Sequence, residues 1–180
     1  MTDKVFLGFL TRQRGEALAL AQESDLVEVL PWGDPLVPER YVLRFRCRGL
    51  VRDFASGKVS EADRFEVGVW FPEAYQRRAN PFEVLTWLRP LEAWHPNIAW
   101  PHICVGRLLP GTGLVDLVYQ VFEIITYQKL TMREDDALNK AACDWARRNQ
   151  RLFPVDDRPL KRRALALTTE DAPAREGDRG

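Results

Sequence analysis

The strongest constraint on the fold is a change of hydrophobic period along the chain. In residues 41–47 and 65–71, apolar and polar side chains alternate, which is typical of strands with one buried face. After residue 114, apolar side chains recur every three or four positions, which is typical of an amphipathic helix. Together with a helix-favouring stretch near the start of the chain, this order predicts an α+β fold. We expect an N-terminal helix, an antiparallel sheet of about four strands, and then C-terminal helices.

Shorter patterns predict the remaining elements. Stretches rich in Ala, Leu, Gln and Glu favour helix, and apolar runs that stop before proline favour strand. These patterns predict a helix at 11–24, strands at 26–30 and 84–88, and helices at 114–128 and 136–149.

Composition favours a single domain and excludes several classes of partner. The chain has 180 residues, of which 46% are hydrophobic, so it can bury a core of its own. Its 26 basic and 26 acidic residues cancel, and we therefore expect neither nucleic acid nor a membrane surface as a partner. Three cysteines without close pairs predict free thiols, a cytoplasmic protein, and no zinc site.

The chain changes in composition after Pro154. From residue 155 onward Ala, Pro, Arg, Glu, Asp and Gly dominate, with almost no bulky apolar residue after Leu167. Such a segment lacks the apolar surface that offsets the entropy of ordering. The sequence therefore predicts a folded domain over residues 1–154 and a disordered tail over 155–180.

One short motif carries candidate chemistry. His95-Pro96-Asn97-Ile98 is followed, seven residues after Asn97, by Cys104. Acyl transfer through a thioester needs a sulfur nucleophile and a donor for the oxyanion, and these two side chains provide both types of group. The residues alone leave other interpretations open, because a lone cysteine is often a small buried apolar residue and Asn after Pro often caps a turn.

Four segments in order extend this motif to a family resemblance. They are Phe71-Pro72-Glu73-Ala74-Tyr75 with Pro81, the His95–Ile98 motif, Ile103-Cys104, and Asp135-Asp136-Ala137-Leu138-Asn139 with Ala141-Ala142. From residue 71 to about 149 the chain resembles the catalytic core of the ubiquitin-conjugating (E2) enzymes. It departs from eukaryotic members in an Asn-to-Cys interval that is one residue shorter, in Ala137 at a family proline, and in the lack of a fourth-helix pattern after Pro154. It therefore looks more like the bacterial E2-like proteins of ubiquitin-like conjugation operons, which are linked to antiphage defence.

The resemblance implies a UBC-like fold and a transferase that needs no cofactor. Cys104 would carry a ubiquitin-like modifier as a thioester, received from an E1-like activating enzyme, and pass it to a lysine of a target protein. Asn97 would be the oxyanion donor or would fix the loop around the cysteine. Asp136 would line the approach of the lysine, although a carboxylate at this position also suits a helix N-terminus.

The other histidines and cysteines have weaker claims. His102 lies two residues before Cys104 and could pair with it, whereas His95 is structural in the family. Cys47 falls on the apolar face of a strand, and Cys143 falls away from the apolar stripe of its helix. Two rival functions remain, namely a binding module with the same fold and no turnover, and a small hydrolase that uses Cys104 and His102.

Overall fold

The centre of the fold is a four-stranded antiparallel sheet. A computed structural model describes residues 3–162. The strands are β1 (Val27–Trp32), β2 (Arg40–Phe45), β3 (Gly49–Arg52), β4 (Val59–Ala62), β5 (Phe65–Trp70), β6 (Leu85–Arg89), β7 (Ile98–Ala99) and β8 (His102–Ile103). The strand order in the central sheet is β1-β2-β5-β6. The helices are α1 (Lys4–Glu23), α2 (Pro81–Val84), α3 (Leu114–Ile125) and α4 (Lys140–Arg148), with a 3₁₀ turn at Gln150–Leu152.

The alternation along β2 and β5 separates a core face from an outer face. Tyr41 and Leu43 pair with Val69 and Val67, and all four are at most 2% exposed. Their neighbours in the sequence lie on the outer face, where β2 and β5 are joined by an ion pair between Arg44 and Glu66 at 3.0 Å. Because side chains alternate across a strand, the period of two in the sequence becomes a buried face and a solvated face.

Helices α1 and α3 pack against each other over the core. The side chain of Asp3 accepts a hydrogen bond from Val5 N and caps the start of α1. α3 begins after Gly113, which has no side chain to cap it. Gln13 of α1 fills this role, since its Oε1 accepts the N–H of Leu114. This bond satisfies one of the free donors at a helix start and joins the two helices.

A second, smaller core lies under α4. It contains the buried residues Leu50, Trp94, Tyr127, Ala142 and Ala146. It connects α4 to the β3–β4 hairpin, which pairs with the chain near Ala93 and was not predicted from the sequence.

The predicted α+β arrangement, with its N-terminal helix, four-stranded antiparallel sheet and later helices, is confirmed. Two helix starts differ from the prediction. α1 begins at Lys4 rather than at residue 11, because its first turns supply the buried Phe6, Phe9 and Leu10. α4 begins at Lys140 rather than at Asp136, because Asn139 is its N-cap.

The structure also differs from the predicted boundary at residue 154. Asp156 is 1% exposed and Leu160 is 2% exposed, and Arg162 N donates to Glu23 O at 2.8 Å. Residues 155–162 are therefore packed against the domain, and the rest of the predicted tail, 163–180, lies outside the described residues. Within the described residues, no helix combines the length and the apolar character needed to cross a membrane.

Candidate active site around Cys104

A short hairpin brings Asn97 and Cys104 together. In the hairpin, Ile98 pairs with Ile103 and Ala99 pairs with His102. Extending this register by one pair places Asn97 opposite Cys104, and Cys104 N donates to Asn97 O at 2.8 Å. The site thus lies at the open end of a hairpin, where two flanking residues face each other.

The turn of this hairpin accounts for the interval of seven residues between the amide and the thiol. Only Trp100 and Pro101 connect the two strands, and the peptide bond between them is cis. The proline thus stands third in the four-residue turn, as it does in type VI turns. The hairpin is fixed to β6, because Trp87 N donates to Pro101 O at 2.8 Å. The short interval therefore still places Asn97 beside Cys104.

The Asn97 side chain holds the cysteine loop to a second segment of the chain. Its Nδ2 donates to Cys104 O at 3.0 Å, and its Oδ1 accepts from Thr131 N at 2.9 Å. The residue is only 8% exposed. Of the two roles considered from the sequence, the observed contacts are those of a side chain that fixes the loop.

His95 also holds the cysteine loop in place. Its Nδ1 accepts a hydrogen bond from Asn97 N at 3.0 Å, and its ring packs edge-on against Tyr127 with 4.4 Å between ring centroids. Burial lowers the pKa of His95 from 6.5 to about 3. A neutral ring whose Nδ1 is an acceptor carries its proton on Nε2. The geometry is that of a structural residue.

Cys104 is the accessible thiol of the chain. Its neighbours Ile103 and Val105 are at most 1% exposed and anchor the loop, whereas Cys104 itself is half-buried. All three cysteines lie within the described residues, and Cys47 and Cys143 are fully buried. Burial is the largest cause of a raised pKa for the Cys47 thiol, and the nearby carboxylate of Asp156 raises it further.

The prediction that Cys143 lies off the buried face of its helix was wrong. The residue is 0% exposed, and its Sγ donates to Thr131 O at 3.7 Å. The reason is that α4 packs against the segment that follows α3, which contains Thr131, and helical periodicity alone does not reveal this partner.

Asp136 lies in the exposed turn between this segment and α4. It forms an ion pair with Arg133 at 3.1 Å, and Arg133 also binds Asp135 at 2.8 Å. Within residues 3–162, no hydrogen bond or ion pair joins Asp136 to Cys104. Asp136 belongs to the same segment as Thr131, which is hydrogen-bonded to Asn97 of the cysteine loop. Asp136 is therefore connected to Cys104 indirectly, through the backbone of this segment.

His102 does not contact the thiol through a hydrogen bond in the described part of the chain. Its exposed ring packs edge-on against Phe82, with 5.4 Å between ring centroids. This arrangement gives no support to a Cys-His pair.

Three further residues of the site follow α3 and were missed in the sequence. The Tyr127 hydroxyl donates to Trp94 O, Lys129 Nζ donates to Val105 O at 2.9 Å, and Thr131 N binds Asn97 as described above. They belong to no motif, and Tyr127 adopts a positive φ of 60°, which no residue pattern indicates. Asn139 could have been found, because an Asn before an Ala-rich run is a recognised N-cap signal.

Within the described residues, no group of three or more His, Cys, Asp or Glu side chains is arranged to hold a metal ion.

No protein-family model matches this chain, and neither does any curated protein at a significant level.

Proposed function

We propose that this chain is an E2-like conjugating protein that carries a ubiquitin-like modifier on Cys104. The observation that supports this most is the pairing of Asn97 with Cys104 across the β7–β8 hairpin. This pairing leaves one half-buried thiol on a loop that is braced from both sides, while the other two thiols are buried. A fixed and accessible thiol is what a carrier of an acyl group requires.

The proposed reaction has two transfers. In the first, the Cys104 thiolate attacks the thioester carbonyl of the modifier on an E1-like activating enzyme, a new C–S bond forms, and the activating enzyme's thiolate leaves. In the second, a lysine amine of the target attacks the Cys104 thioester, an amide forms, and the Cys104 thiolate leaves while the amine loses a proton. Asp136 is the carboxylate that would orient the amine and receive that proton. Asn97 would act by holding the loop in place.

Charging with the modifier tests this proposal. Incubated with an activating enzyme, ATP and a ubiquitin-like modifier, the protein should gain a covalent adduct that thiol reagents remove. Cys104→Ser should give at most a reductant-resistant ester, and Cys104→Ala should give no adduct. Cys143→Ala is the matched control and should be charged like the parent, provided that it folds. Equal charging of Cys104→Ala would disprove the assignment of the nucleophile, and a folded parent protein that is never charged would support the binding-module alternative.

The same assay separates the roles of the other two residues. Asp136→Ala should be charged normally but should discharge to free lysine more slowly, because only the second transfer uses the amine. Asn97→Ala should lose both transfers in part, because Cys104 is then less well fixed. Discharge of Asp136→Ala at the parental rate would show that Asp136 pairs with Arg133 in the turn but takes no part in the second transfer.

A further inference from the structure

Lys129 is bound to the residue that follows the nucleophile, although nothing in the sequence connects Lys129 with Cys104. It lies four residues after the end of α3, and its Nζ donates to the carbonyl oxygen of Val105 at 2.9 Å. Val105 directly follows Cys104 and is buried. The ammonium is therefore held at the backbone of the cysteine loop.

The charge of Lys129 is not neutralised by a carboxylate. In the described part of the chain, no Asp or Glu oxygen lies within 4.0 Å of its Nζ, although ten other ion pairs are formed there. The lysine side chain is only partly exposed. A tethered, partly desolvated ammonium acts on a neighbouring anion more strongly than a fully solvated one does.

The side-chain amide of Asn97 does not provide the site with a positive charge. Its two polar atoms are bound to the backbone of Cys104 and Thr131. Asn97 thus uses its Oδ1 and one of the two Nδ2 hydrogens to fix the loop, and it brings no formal charge. The thiolate of Cys104 and any oxyanion formed on its acyl group need a positive partner, and Lys129 is the cation that the loop itself binds.

We propose that Lys129 is a positioning residue that holds the cysteine loop through Val105 and supplies a fixed positive charge to Cys104. The effect on the thiolate is a property of the protein alone, whereas its use in acyl transfer rests on the proposed function. Arg107 is the other cation close in sequence to Cys104, but it is exposed and forms no ion pair within residues 3–162.

Alkylation of the native protein tests the charge directly. Cys47 and Cys143 are 0% exposed, so Cys104 is the thiol that reacts. The Cys104 thiolate attacks the CH₂ carbon of iodoacetate and of iodoacetamide in the same way, forming a C–S bond as iodide leaves, and the two reagents differ in charge. Lys129→Met removes the ammonium with little change in length, and Lys129→Arg keeps the charge. Lys4→Met, at the exposed start of α1, is the matched control.

The expected result is a change in the ratio of the two rates. In Lys129→Met the rate constant with iodoacetate should fall relative to that with iodoacetamide by about threefold or more, since one nearby charge is lost. Lys129→Arg should restore the ratio, and Lys4→Met should keep it. A parental ratio in Lys129→Met would overturn the proposal, even if both rates had changed equally. A residue that only holds the loop would affect the reaction with both reagents in the same way.

A second measurement covers the case in which Lys129→Met does not fold, which reaction of all three thiols would reveal. In the parent protein, added salt should lower the iodoacetate to iodoacetamide ratio by screening the charge, while Lys129→Arg should respond in the same way. A parental ratio that is insensitive to salt would overturn the proposal. A protein that shows these effects but is never charged by an activating enzyme would refute the proposed function and leave the role of Lys129 in place.

Discussion

At the scale of single residues, His95 shows how burial fixes a protonation state. Its Nδ1 must remain an acceptor for Asn97 N, and the ring is 2% exposed. Protonation would turn the acceptor into a donor and would bury a charge without a partner. The structure of the cysteine loop therefore depends on a neutral imidazole.

This dependence predicts a loss of stability in acid. The pKa of His95 is lowered from 6.5 to about 3, so between these pH values the unfolded chain binds a proton that the folded chain does not. Stability from this group is complete above pH 6.5 and falls as the pH falls. At pH 4.5 the loss should be about 3 kcal/mol relative to pH 7. His95→Asn keeps an acceptor near the position of Nδ1 but cannot bind a proton. Between pH 7 and pH 4.5 its free energy of unfolding in urea should therefore fall by about 3 kcal/mol less than that of the parent.

The second histidine of the chain is the control. His102 is exposed, and His102→Asn removes an imidazole while keeping the bond between His95 and Asn97. Asp156 does not interfere, because the pKa of its carboxyl is lowered to about 2, chiefly by the hydrogen bond from Arg158. Its contribution is present at pH 4.5 and is lost only as the pH falls further. An identical pH dependence in the parent and in His95→Asn would contradict the assignment of His95.

At the scale of elements, the start of α4 is also a connection to the site. The Asn139 side chain accepts from Ala142 N at 3.0 Å, which satisfies one free donor of the helix. Its own N–H donates to Pro96 O at 3.0 Å. The first turn of α4 is therefore joined to the backbone of the motif that carries Asn97.

The cap assignment predicts which polar residue stabilises the helix. Asn139→Ala should lower the free energy of unfolding by about 1 kcal/mol, because the helix loses its cap while the backbone bond to Pro96 is kept. Asn139→Ser should retain most of the stability. Asp136→Ala is the control and should change stability little, because the ion pair of Asp136 with Arg133 is at the exposed surface. Chemical denaturation of the three variants measures these free energies of unfolding. A larger loss in Asp136→Ala than in Asn139→Ala would contradict the N-cap and would indicate a helix that begins earlier.

At the scale of the whole molecule, residues 155–162 connect parts of the fold that are distant in sequence. Asp156 Oδ2 accepts from Arg48 N at 3.1 Å, its carbonyl accepts from Gln128 Nε2 at 2.7 Å, and Arg158 binds its carboxylate at 2.6 Å. Arg162 then reaches the end of α1. The segment thus joins the region after β2, the end of α3 and the end of α1.

A pair of adjacent carboxylates tests this connection. Asp156→Ala should lower the free energy of unfolding by about 2 kcal/mol, because it removes the buried carboxylate that accepts from Arg48 N and from Arg158. Asp157→Ala should have little effect, since Asp157 is exposed. Thermal and urea unfolding of the two variants would measure the difference. Equal stability of the two would show that residues 155–162 contribute little to the domain.

The sequence by itself determined the elements whose hydrophobic period is regular. Alternation predicted β2 and β5, and the apolar stripe predicted α3, because burial of one face imposes a period that local residue order records. The motif also pointed to Asn97 and Cys104 as neighbours. Only the tertiary structure decided the rest. The contacts of Lys129 and Asp156 span 24 and 108 residues, and no local period encodes them. The burial of Cys143 and the packing of residues 155–162 follow from partners that become adjacent only when the chain folds.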